Sequence, residues 1–173
     1  FLSCFLLVGW IEELGKFCFL RSFTWENPQF NYRFDAIVYS VFVAMGFALV
    51  ENFFYVAATG SLGAALGRGL TAIPGHGAFG VFMGYYYGTA RQYHQAAQNC
   101  ANPVAAKRCF RKYRQYLVRS IALPALLHGC YDLCLQVEQW EVTVVFVLFI
   151  FVLDLVAVYQ VQRGSQCDGP IGQ

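Results

Sequence analysis

The chain has 173 residues, of which 58% are hydrophobic, 18% aromatic and only 13% charged, with a net charge of +2. Soluble domains carry about 25% charged residues. Half that fraction excludes an ordinary soluble domain and points to an all-α membrane protein, a polytopic helical bundle. The seven cysteines form no CxxC pair and no disulfide-like spacing, so they read as small apolar fillers.

Crossing a hydrocarbon core of ~30 Å takes ~20 residues of helix. Five segments meet that length, at about 1–21, 36–59, 63–90, 116–136 and 142–161. The first is interrupted by Glu12, Glu13 and Lys16. The second starts after Asp35, a side chain able to cap free amides. The third is glycine-rich and contains Pro74, the fourth contains Pro124, and the fifth is the most lipophilic. Together they make a single transmembrane helical domain over 1–163, followed by a C-terminal tail at 164–173. There is no initiator Met and no signal-peptide pattern, and the chain is expected to be part of a longer one.

Orientation follows from the basic stretch 91–115, which holds Arg91, Lys107, Arg108, Arg111, Lys112 and Arg114. It is expected to be a cytoplasmic loop. Residues 22–35 then lie on the same side, and 60–62 and 136–141 on the outer side. Because the basic run flanks a membrane helix, no nucleic-acid partner is expected. The lipid bilayer is the expected surroundings, in a bacterial or archaeal cell membrane. His94 and Glu26 are expected to be solvated loop residues.

A charge at mid-bilayer costs about 2.5 to 3.5 kcal/mol on insertion scales. The spans nevertheless hold Glu12, Glu13, Lys16, Glu51, Arg68, His76, His128, Asp132 and Asp154. Counting ~1.5 Å per residue, Glu12, Glu51, His76 and His128 reach similar depths on four helices, around one polar intramembrane cavity. His128 and Asp132 share a helix face, as do Glu12 and Lys16. Arg68, Ala72, His76, Gly80, Gly84 and Gly88 form one stripe of mostly small residues, which presses His76 against a neighbouring helix. Asp154 has a depth close to that of Lys16, and an ion pair between them is expected.

This residue set suits hydrolysis. Glu51, His76 and His128 make a carboxylate and two imidazoles, a zinc-type ligand set with room for water. Glu12 or Glu13 then serves as general base, and Asp132 ligates or orients an imidazole. Lys16, Arg68 and Asn52 are supporting residues, the two cations balancing charge or stabilising an oxyanion. A metal-free alternative has Glu12 and His76 activating water while His128 and Asp132 position the carbonyl. A different class of function, a proton- or ion-coupled transporter using the same groups as a relay, also fits intramembrane Glu, His and Asp.

Glu12-Glu13-x-x-Lys16, Gly46-Phe47-Ala48-Leu49-Val50-Glu51-Asn52 with Tyr55, Arg68 with Pro74-Gly75-His76, and His128-Gly129-x-Tyr131-Asp132 occur in that order. Together they resemble the PrsW family of intramembrane proteases, which is similar in motif layout to the CAAX prenyl protease and bacteriocin-processing clan. The resemblance implies an intramembrane endopeptidase whose site comprises Glu12, Glu13, Glu51, His76, His128 and Asp132. It also implies a membrane-anchored protein as substrate, with site-1 cleavage of an anti-sigma factor as one such reaction.

Overall fold

The structure, a computed structural model, describes residues 7–137 and 139–171, with the side chain of Ala64 left out. Expectations falling on residues 1–6, on Glu138 and on 172–173 lie outside the described residues. Five helices follow one another: α1 (Gly9–Thr24), α2 (Asp35–Thr59), α3 (Leu62–Gln98), α4 (Pro103–Leu135) and α5 (Trp140–Gln166). No strand occurs among the described residues, and the chain is an all-α membrane protein. By length and composition alone, α2 and α5 are apolar enough to cross a bilayer. The other three carry the ionisable or glycine-rich sequence that builds the interior.

The basic stretch 91–115 is not a loop. α3 continues to Gln98 and α4 starts at Pro103, so the segment is a helical hairpin with a short turn. Asn102 caps α4, its Oδ1 accepting from Val104 N at 2.9 Å and Ala105 N at 3.3 Å, and Pro103 occupies the first turn, where no amide is needed. A drop in hydropathy marks where apolar surroundings end. It does not mark where a helix ends.

α3 is the central helix, packed against α2, α4 and α5, while α1 packs on α4 and more lightly on α2. Two contacts between backbones fix this arrangement. A Cβ built on Gly84 would lie 2.5 Å from Ala36 O and from Ile37 Cα, and one on Gly80 would lie 2.9 Å from Ala44 Cβ. The small-residue stripe of α3 therefore sits directly on the Ala36, Ser40, Ala44 and Ala48 stripe of α2, all buried. On the other side, a Cβ on Gly9 would lie 2.9 Å from Ala125 O and 3.0 Å from Gly129 N, so α1 and α4 touch through their backbones.

The end of the bundle that carries the basic hairpin is closed by aromatics. Leu20, Tyr87, Phe17, Trp25, Phe30, Met83 and Tyr113 form one buried cluster. The Tyr87 hydroxyl lies 2.9 Å from Thr24 Oγ1, which donates onward to Leu20 O at 2.7 Å. Tyr87 is fully buried, unlike a residue of an interfacial aromatic belt. Arg21 and Arg91 both lie over the Trp25 ring, at 4.6 and 4.9 Å from its centroid. His94, expected in solvent, belongs to α3 and packs against Trp25 and Tyr113. The last described residues return to the α1–α2 linker. Ile171 N donates to Asn31 O at 2.7 Å, and Phe34 N donates to Asp168 Oδ1 at 3.0 Å.

Candidate active site

The backbone contact at Gly9 and Gly129 sets the geometry of the site. One turn after Gly9 stands Glu13, and one residue before Gly129 stands His128. Glu13 Oε1 accepts from His128 Nδ1 at 2.9 Å and from Lys16 Nζ at 2.5 Å. Glu13 and Lys16 are almost wholly buried, at 0% and 1% exposure. A buried charge of this kind persists only when paired and hydrogen-bonded.

His76 comes from α3, one turn before Gly80, and is also buried. Lys16 Nζ lies 2.9 Å from His76 Nδ1, and His76 Nε2 lies 3.0 Å from Glu51 Oε2. An ammonium has only donors, so Nδ1 accepts from it and Nε2 carries the proton toward Glu51. Arg68 Nη2 holds the other Glu51 oxygen at 2.5 Å, and the guanidinium stacks over Tyr55 at 4.5 Å. The two imidazoles meet edge to face, with centroids 5.0 Å apart, and Phe79 stacks on His128.

His128 Nδ1 donates its proton to Glu13, which leaves a lone pair at Nε2. That lone pair faces Glu12 Oε2 at 3.9 Å and Asp132 Oδ2 at 3.7 Å. Three acceptors thus surround a gap, with Nε2 too far from either carboxylate for a hydrogen bond. The side chains of Glu12, Asp132, Arg68 and Glu51 remain 29%, 22%, 21% and 40% exposed. The cluster has a sealed layer of Glu13, Lys16, His76 and His128, and an open layer of Glu12, Glu51, Arg68 and Asp132.

Ligand atoms of Glu12, His76 and His128 all lie within 4.8 Å of one another. The expected set of Glu51, His76 and His128 shares two of these three. Glu51 instead holds His76 Nε2 and Arg68, and Glu12 supplies the converging carboxylate. Shared depth places groups at one level but says nothing of their angle around the bundle. Lys16 likewise pairs with Glu13, three residues away, more closely than with Glu12 at 3.9 Å. The Lys16–Asp154 pair is not formed. Asp154 lies on α5, which packs mainly on α3, and has no ion-pair partner among the described residues. Asn52 contributes a buried Oδ1 without a hydrogen-bond partner. Sequence reasoning passed over Phe79 and Gly9. The first was visible as the residue one turn from His76, the second as the small residue one turn before Glu13.

The sequence model of the PrsW-protease family, described as PrsW family intramembrane metalloprotease, matches residues 1–158. The chain is similar to a protein called Protease PrsW in Halalkalibacterium halodurans, 35% identical over 96% of this chain and 70% of that protein. Similar proteins of the same name occur in Geobacillus kaustophilus, at 36% identity over 80% of this chain and 54% of that protein, and in Shouchella clausii, at 33% over 95% and 68%. The chain thus spans between about half and 70% of the length of these relatives. No solved structure matches it. With the family sequence matched across most of its length, the chain belongs to the PrsW family of intramembrane metalloproteases.

Proposed function

We propose that the cluster of Glu12, His76, His128 and Asp132 hydrolyses a peptide bond of a membrane-anchored protein, within the outer half of the bilayer. The observation that carries this reading is the gap between Glu12, Asp132 and His128 Nε2, an electron-rich space at the open edge of a sealed polar layer. A water molecule or a cation satisfies three acceptors, and no hydrogen-bond donor among the described residues does. Membership in a peptidase family favours this use of the groups over a transport relay.

The residues fit the metal that the family description names. Glu12, His76 and His128 would hold a divalent ion such as zinc, His76 through Nε2 in exchange for its proton because Nδ1 is taken by Lys16, and bound there it would acidify a water and polarise a carbonyl. Four carboxylates (Glu12, Glu13, Glu51, Asp132) stand against two permanent side-chain cations (Lys16, Arg68), so the formal charge of the cluster suits a dication. The chain's own groups have separable tasks. Glu13 fixes the tautomer and orientation of His128, as buried carboxylates do for ligating imidazoles. Lys16 neutralises Glu13 and leaves Nδ1 of His76 an acceptor. Glu12 is the partly exposed carboxylate that lies within 4.8 Å of both imidazoles, so it takes the proton from water and returns it to the leaving amine. A carboxylate has two oxygens, which lets Glu12 serve as ligand and as proton acceptor. Arg68 has a buried Nε without a hydrogen-bond partner, a donor available to an oxyanion.

Orientation supports an external cut. The basic residues of the α3–α4 hairpin belong on the cytoplasmic side of a multi-pass chain, where the aromatic cluster closes the bundle. The open layer then faces outward. A single-span protein with an external segment is the substrate class that fits, and the anti-sigma factors implied by the motif resemblance are of that kind.

The test is cleavage of a tagged single-span reporter in proteoliposomes. Glu12→Gln is expected to lower kcat by about a hundredfold or more, with the melting temperature unchanged. His128→Ala is expected to abolish both cleavage and metal retained by the purified protein. If both variants cleave at the wild-type rate, or if a solute moves while the reporter stays whole, the reading fails.

A further inference from the structure

α1 and α2 are the two helices that pack together only lightly at the site, and their seam holds a groove. The groove measures about 490 Å³ and is lined by Phe19, Phe42, Val43, Gly46, Phe47 and Val50. Phe42, Phe19 and Val50 are 75%, 52% and 56% exposed. Exposure alone carries nothing in such a chain. The outer face of α5, with Phe151 and Val152, is as exposed and leads to no part of the polar cluster.

What distinguishes the groove is what lies at its end. Phe47 forms its floor. The ring contacts Gly15, where a Cβ would be 3.9 Å from Cζ, and Lys16 Nζ lies 5.8 Å from its centroid. One turn beyond Phe47 on the same face of α2 is Glu51. Seven residues before Phe19, on the same face of α1, is Glu12. Both walls of the groove therefore carry an exposed carboxylate of the site, displaced toward the outer end by roughly 6 to 10 Å at ~1.5 Å per residue. At Gly46 the wall is open, since a Cβ there would meet nothing within 4 Å.

We propose that this groove docks the transmembrane helix of the substrate. The proposal rests on the peptidase reading above and names how its substrate is held. The apolar walls match a lipophilic helix, and the absent side chain at Gly46 lets that helix approach closely. Its outer end then arrives beside Glu12 and Glu51, so the bond cut lies about two turns external to the residue seated between Phe19 and Phe42. Phe47 separates the lipophilic helix below from the polar cluster beside it.

The probe is a reporter with one Leu/Ala span of about 20 residues and a tagged external segment. Gly46→Phe puts a ring into the groove from a position where a Cβ meets no protein atom within 4 Å. It is expected to lower kcat/KM about tenfold or more through KM, with kcat within about twofold. Val152→Phe on α5 is expected to behave as wild type. Equal cleavage by Gly46→Phe and wild type overturns the docking site and leaves the peptidase reading standing. A photo-cross-linking amino acid at Phe42 in the Glu12→Gln variant gives a second readout. Cross-linking to the reporter's span supports docking even if the wild type leaves this reporter uncut, a result that counts against the peptidase reading alone. Products only with lipid, with a second copy or within the same chain overturn the proposal.

Discussion

His94 shows how a single side chain can make this protein sensitive to pH away from its site. Its ring is wedged against Trp25 and Tyr113, and its Nδ1 is buried without a hydrogen-bond partner. Burial holds its pKa below the ordinary histidine value, and the nearby Arg91 and Arg21 add to this, while Glu26 opposes it. The neutral ring is thus the form that the fold accommodates. Its stabilising effect is complete above the unfolded value of about 6.5 and is lost as the pH falls through that value toward the lower folded one. Melting temperatures of the wild type and of His94→Phe, compared from pH 7.5 to pH 5, are expected to diverge, with the wild type falling more steeply. Parallel curves would remove His94 from the account. The same scale limits what a sequence discloses. The residue types of the site were legible because an ionisable group in an apolar helix is costly. Which carboxylate met which imidazole was not, because Glu12 and Glu13 differ by only one helical step.

At the scale of the helix, glycine decides where backbones meet. Gly84 and Gly67 are both mid-helix glycines of α3, yet their surroundings are opposite. A Cβ at Gly84 meets backbone atoms of α2 at 2.5 Å, and one at Gly67 meets nothing within 4 Å. Gly84→Ala is expected to destabilise by about 1–3 kcal/mol, as overpacking against immovable backbone does. Gly67→Ala is expected to be neutral or to stabilise by up to about 1 kcal/mol through helix propensity. Unfolding of the two variants in the same detergent gives the comparison, and equal stabilities would contradict the packing described. This contact was legible in advance as an every-fourth-residue stripe. The α1–α4 contact was not, because a lone Gly9 makes no pattern, although it is what brings Glu13 to His128. The helical hairpin at 91–115 was missed for a related reason, since charge and polarity report the surrounding solvent and leave the backbone undetermined.

At the scale of the whole molecule, the last described residues fold back onto the α1–α2 linker. Asp168 Oδ1 accepts from Phe34 N and Gly169 N, and Arg33 Nη2 donates to Cys167 O at 3.0 Å. Asp168→Ala is expected to lower stability by only about 0.5–1.5 kcal/mol, the net value of such hydrogen bonds. It is expected to speed tryptic cleavage after Arg33, read by mass spectrometry under native conditions. Unchanged cleavage would mean that the tail does not shield the linker. The tail tie also bears on how the α1–α2 seam moves. Tail, linker and the Trp25–Tyr87–Tyr113 cluster pin the linker ends of both helices together, whereas no such tie joins their far ends among the described residues. The pair is therefore built like a clothes-peg, with its spring at the linker end and its jaws beside Glu12 and Glu51. Any parting of the two helices would widen the space next to these carboxylates most and leave the linker end closed.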